Sequence, residues 1–173
     1  MPATTTSDFL SDIKCRAIFV RTSYKGNRMS DWEYQSFIAE DDLLPTFCYR
    51  IKHNGNTISI QFGPVKQYNG LPVYSVCLSI YRKRKRIDIA FSARSVTGTI
   101  GTTGLLLAKQ SFDLFIKEFF DEVNTDGVIL SVQGADVRRY KVYKRTLERM
   151  GYTESKLLGS LCMSKVYYRE SLK

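Results

Sequence analysis

Apolar and polar residues alternate with period two through the middle of the chain. Phe47, Tyr49 and Ile51 interleave with Cys48, Arg50 and Lys52, and Ile58, Ile60 and Phe62 continue the pattern beyond them. A strand places successive side chains on opposite faces, so each run predicts a half-buried strand. Asn54-Gly55 between them is a two-residue hairpin signal, because both central positions of such a turn need positive φ. Asn69-Gly70-Leu71-Pro72 marks a second turn, a strand follows over 73–81, and Ile87–Phe91 reads as another. The expectation is an antiparallel meander of about four strands. Upstream, the apolar run Cys15–Val20 predicts a first strand. Ser30, with Glu33 three residues later, has capping-box chemistry and predicts a helix through Ala39, ended by Pro45.

The period then changes. Leu105, Ala108, Phe112, Phe115, Ile116, Phe119 and Val123 fall on one face of a long helix. Val128–Val132 reads as a strand buried on both faces. Tyr140, Tyr143, Leu147 and Met150 form the apolar stripe of a second helix, with Gly151 as its C′ residue. A last strand runs from Leu161 to Tyr168. No repeat, low-complexity tract or Pro/Ser linker interrupts the 173 residues. A flexible terminus over 1–8 and one α+β domain over 9–173 are expected, with a mainly antiparallel sheet and helices packed on it.

Composition adds exclusions. With 43% hydrophobic and 25% charged residues the chain is not wholly disordered. No apolar run approaches the ~20 residues that cross a bilayer, so no membrane partner is expected. The N-terminus has neither the basic nor the apolar region of a secretory signal. Cys15, Cys48, Cys77 and Cys162 form no Cys-x-x-Cys pair, and His53 is the lone histidine. No metal site is therefore expected, and a reduced, cytoplasmic chain is the reading. Nothing orients Cys48 and His53 as a nucleophilic pair. Trp32 is expected to anchor core.

The net charge of +9 is focal. Arg82, Lys83, Arg84, Lys85 and Arg86 contribute +5, and segment 138–149 contributes another +5 through Arg138, Arg139, Lys141, Lys144, Arg145 and Arg149 against Glu148. Such patches attract a polyanion, whether nucleic acid or an acidic protein, although a solvated hairpin tip and the wet face of a helix would look the same.

Glycine spacing supplies the remaining candidate. Val96–Gly104 reads Val-Thr-Gly-Thr-Ile-Gly-Thr-Thr-Gly at the junction between strand and long helix. Backbone N–H groups of Gly98, Gly101, Thr102, Thr103 and Gly104 can cradle a phosphate there, with the positive helix end behind them. The same residues would serve as a structural turn with a threonine cap. It is neither a Walker loop nor a dinucleotide fingerprint.

Element order and loop together resemble the GNAT superfamily of N-acetyltransferases. In that family an Arg/Gln-x-x-Gly-x-Gly/Ala loop binds the pyrophosphate of acetyl-coenzyme A. Here Arg94-Ser-Val-Thr-Gly98-Thr-Ile-Gly101 has those parts with one extra residue in each interval. Asp126-x-Val-Ile-x-Ser, Arg139, Tyr143-x-Arg145 and Gly151-Tyr152 add a likeness to GNAT-like proteins encoded by bacteriophages. The resemblance covers residues 46–168. It implies a GNAT-like fold, acetyl-coenzyme A as cofactor and an amine as acceptor. It also implies Tyr143 as the acid that protonates the leaving thiolate; Asp88 is the one carboxylate on the strand before the loop. Three readings stand: an N-acetyltransferase, a non-catalytic phage virion or host-interaction protein on the same fold, and a nucleic-acid-binding module.

Overall fold

The computed structural model describes residues 18–20, 32–38, 43–81, 101–133, 137–157 and 159–172. Strands β1 (Ile18–Val20), β2 (Glu33–Ile38), β3 (Thr46–His53), β4 (Asn56–Tyr68) and β5 (Leu71–Tyr81) form an antiparallel meander. Helix α1 (Gly101–Glu122) leads to β6 (Gly127–Val132), and α2 (Val137–Arg149) leads to the hairpin β7 (Thr153–Leu157) and β8 (Ser160–Tyr168). A 3-10 turn, Arg169–Leu172, follows. Among the described residues one eight-stranded sheet results, in the order β1-β2-β3-β4-β5-β6-β8-β7. Among the described residues its only parallel neighbours are β5 and β6, which is the pairing a helical crossover permits.

Both predicted hairpins form. Asn54 and Gly55 have φ of 49° and 73°, and Asn69 and Gly70 have 50° and 78°, the left-handed pair that matches strand twist. The helix predicted over Ser30–Ala39 does not form. Glu33–Ile38 is strand β2, bonded to β1 on one side and β3 on the other. Tyr34 and Ser36 point inward between the less buried Glu33, Gln35 and Phe37, and the Tyr34 ring packs 5.2 Å from Tyr49. A cap stabilises by about 1 kcal/mol; pairing of three residues with β1 and five with β3 outweighs it. Trp32, just before β2, is buried in the core as expected. Strand β7 carries no apolar alternation and was not predictable from pattern. The expected strand at 87–91 lies outside the described residues.

Both helices cover one face. Phe112, Phe115 and Phe119 of α1 pack on Phe47, Phe62 and Tyr74, with Phe62 stacked on Phe115 at 4.3 Å and 9°. Leu147 and Tyr152 extend this core across β6 and β8 through Val128, Leu130 and Met163. Val73, Ile129, Leu157 and Cys162 form a smaller cluster on the opposite face. Alternation accounts for the division: Val128 and Leu130 point to the helices, and Ile129 points away.

Helix α2 ends as its glycine predicts. Gly151 has φ of 81°, its N–H bonds the carbonyl of Glu148 at 3.0 Å, and the Tyr152 N–H bonds that of Leu147 at 3.0 Å. This is the paired closure that satisfies orphan helix carbonyls. Lys165 on β8 donates to the Met150 carbonyl at 2.8 Å, and its Nζ lies 4.8 Å from the Tyr167 ring centre. Among the described residues no helix is long and apolar enough to cross a membrane.

Candidate functional site

Four residues separate α1 from β6, so the C-terminal end of α1 sits at the N-terminal end of β6. Arg169, at the end of β8, bonds the carbonyls of Val123 and Thr125 there. Twenty-two residues carry α1 back along the sheet by about 33 Å. Its first turn, Gly101-Thr102-Thr103-Gly104, therefore lies toward the carboxyl ends of β5 and β6. The sequence suggested a loop through Gly104; the backbone is helical from Gly101 onward. Four residues also separate β6 from α2, so the first turn of α2 stands at the same end.

This end of a parallel pair is where ligands bind in α/β sheets, because strands deliver the chain there and helix N-termini point back at it. The first turn of neither helix contains an acidic residue. Arg138 and Arg139 belong to the first turn of α2. The β5–β6 pairing ends at Val76 and Val132, whereas β5 continues to Tyr81. Among the described residues, Cys77–Tyr81 is bonded to β4 on one edge and to no strand on the other.

Tyr143 lies in the middle of α2. Leu147 points into the core, and Tyr140 and Lys144 flank it on the β7 side, where both bond Glu154 Oε2 at 2.6 and 2.8 Å. At 100° per residue, Tyr143 lies on the other flank of Leu147, toward β6 and α1. It is half-buried and packs against the main core.

The Tyr140–Lys144–Glu154 cluster had no sequence signal, since Glu154 sits on a strand that pattern reading missed. Partial desolvation and the bond to Glu154 push Tyr140 up to about 12. The hydrogen bond from Lys144, then that from Tyr140, holds the Glu154 carboxyl below its ordinary range. A second unforeseen pair lies at the far end of α1, where the buried Tyr34 hydroxyl donates to Glu122. Burial first, and that bond second, raise the Tyr34 phenol well above its ordinary value.

Other candidates separate or fall outside. Cys48 and His53 are five apart on β3, so alternation sends them to opposite faces. Cys48 instead meets Ser59 at 3.6 Å, and His53 meets the Asn54 side chain at 3.2 Å. Arg82, Lys83, Arg84, Lys85, Arg86, Asp88, Arg94 and Gly98 lie outside the described residues, as do the side chains of Arg138 and Arg139. Arg145 is exposed on α2. Among the described residues no cluster of His, Cys, Asp and Glu could hold a metal. Comparison of the chain with family models, curated proteins and solved structures gives no match.

Proposed function

We propose that the chain is an acetyl-coenzyme A-dependent N-acyltransferase of GNAT-like fold, with its cofactor cradle at the carboxyl end of the β5–β6 pair. The observation that carries this reading is the convergence of two helix N-termini, free of acidic residues in their first turns, on one end of the parallel β5–β6 pair. A pyrophosphate suits that place, since orphan N–H groups of the first turn of α1 are donors in need of acceptors. Backbone N–H groups at Gly101–Gly104 would hold it, and Gly98 and Arg94 would assist.

When bound, the cofactor supplies an activated thioester. The protein's part is positioning and proton transfer. Tyr143 would supply from its Oη the proton that the departing thiolate takes up. The amine loses its own proton to a base, for which Asp88 is the candidate. Orientation and fixed dipoles supply most of the rate in such a site.

Calorimetry with acetyl-coenzyme A against wild type and Gly101→Asp tests the reading. An aspartate at the first turn of a helix favours folding through the dipole, yet opposes an anion at the same N–H groups. Binding by wild type and its loss in a Gly101→Asp protein of unchanged melting temperature is the expected result. No binding at millimolar cofactor would leave the non-catalytic reading of the fold in its place.

A further inference from the structure

We propose that the outward face of α2 docks the phosphodiester backbone of a nucleic acid. The structure divides the basic segment that sequence leaves whole. Lys144 is engaged with Glu154 at 2.8 Å and faces β7. Lys141, Arg145 and Arg149 are exposed, four residues apart, and lie on the side of α2 opposite Leu147. Each step along this stripe rises about 6 Å. No described carboxylate lies within ion-pair distance of the three, and Glu148, the one acidic residue of the helix, flanks them.

The character of the face selects the partner. Protein interfaces carry an aromatic and apolar centre. Between Lys141 and Arg149 no described side chain is both apolar and exposed. The exposed Val137 begins the stripe one turn before Lys141, and the three charges of one sign beyond it fit a partner whose charge repeats along its length and whose contacts are polar. Such contacts position a backbone and do not read bases, so binding is independent of sequence. The stripe faces away from the core side of α2, so it stands whether or not acetyl-coenzyme A binds.

The test is fluorescence anisotropy with labelled duplex DNA at several salt concentrations. The proteins are wild type, the triple variant Lys141→Ser/Arg145→Ser/Arg149→Ser, and Lys144→Ser as a charge control. Wild type should bind two unrelated sequences equally. The triple variant should lose about three units of the log affinity against log salt slope, one per phosphate contact. Lys144→Ser should keep the wild-type slope, and unchanged melting of the triple variant shows that its fold is intact. Equal slopes for wild type and triple variant, or no wild-type binding at low salt, would overturn the proposal. Competition by polyglutamate as strong as that by DNA of equal charge would overturn it in favour of an acidic protein.

Discussion

Arg169 donates from Nη2 to the carbonyl of Val123 at 2.8 Å, just beyond the last turn of α1. Its Nε reaches Thr125 at 3.1 Å and its guanidinium lies 5.2 Å from the Phe120 ring centre. The Val123 carbonyl also accepts from the Thr125 N–H at 3.1 Å, and a cation beside the negative end of a helix complements its dipole. One side chain from the end of β8 thus holds the far end of α1, and with it the line along which the glycine turn is aimed.

Replacing Arg169 by Ala should cost about 2 kcal/mol, the scale of hydrogen bonds from a charged donor. Arg169→Lys should recover only part, since an ammonium cannot span both carbonyls as a planar fork does. Urea denaturation of the two variants measures this. A loss below about 0.5 kcal/mol for Arg169→Ala, within the range of ordinary surface substitutions, would remove Arg169 from the scaffold.

Gly127 and Gly70 are required for different reasons. A Cβ at Gly127 would stand 2.9 Å from the Tyr167 carbonyl oxygen and 3.1 Å from Tyr168 Cδ1, across the β6–β8 pairing. Backbone has to move to admit it, and Gly127→Ala should cost about 2 kcal/mol or more. Gly70 has open space around it but φ of 78°. Gly70→Ala should cost about 1 kcal/mol, the cost of a left-handed conformation. Asparagine separates the causes: it tolerates that conformation, so Gly70→Asn should recover most of the loss while Gly127→Asn should not. Equal recovery at both sites contradicts this assignment.

Alkali should unfold the protein through its core. Burial pushes the Cys77 thiol up to about 11 from 9.0. Burial first, then the neighbouring Tyr167, raises the Tyr152 phenol far above 10.0, and burial raises that of Tyr49. All three fold in their neutral, protonated forms. Their stabilisation is complete below the unfolded values and drains as pH rises, from about pH 9 for Cys77 and about pH 10 for the tyrosines. Denaturation midpoints should fall steadily above about pH 9, less steeply in Cys77→Ala and Tyr152→Phe. Constant stability to about pH 10.5 would show that these groups ionise without unfolding the chain.

Legibility in the sequence follows the range of the interaction responsible. The Asn-Gly turns, the aromatic stripe of α1 and the Gly151 closure are local codes, and each appears where its residues stand. Strand β2 was misread because its capping residues are local and its deciding partners, β1 and β3, are not. Strand β7 was missed because Thr153-Glu154-Ser155-Lys156 presents polar side chains at an edge, where pairing with β8 alone defines it. The glycine turn was visible as composition. Its aim at the end of a parallel pair depends on Arg169 and on a four-residue connection, and neither carries a pattern. Both phenol–carboxylate bonds, Tyr34 to Glu122 and Tyr140 to Glu154, join residues too far apart in sequence for spacing to show them.

Two tyrosines on α2 separate the catalytic reading from packing. Tyr140 is bonded to Glu154 of β7, whereas Tyr143 packs against the main core. If Tyr143 protonates the thiolate, Tyr143→Phe should lower kcat on the order of 10²-fold. KM for acetyl-coenzyme A should hold, because the hydroxyl acts in the transition state and not in ground-state binding. The ring that packs against the core is kept, so the melting temperature should shift little. Tyr140→Phe should do the reverse: it removes one of the two bonds on Glu154, lowers stability by about 1 kcal/mol and leaves kcat unchanged. The measurement is steady-state transfer to a panel of amines, followed by free-thiol detection, with melting curves of both variants. A Tyr143→Phe protein that loses stability and activity in proportion would assign Tyr143 to the core. One that keeps full activity would leave the thiolate to take its proton from water.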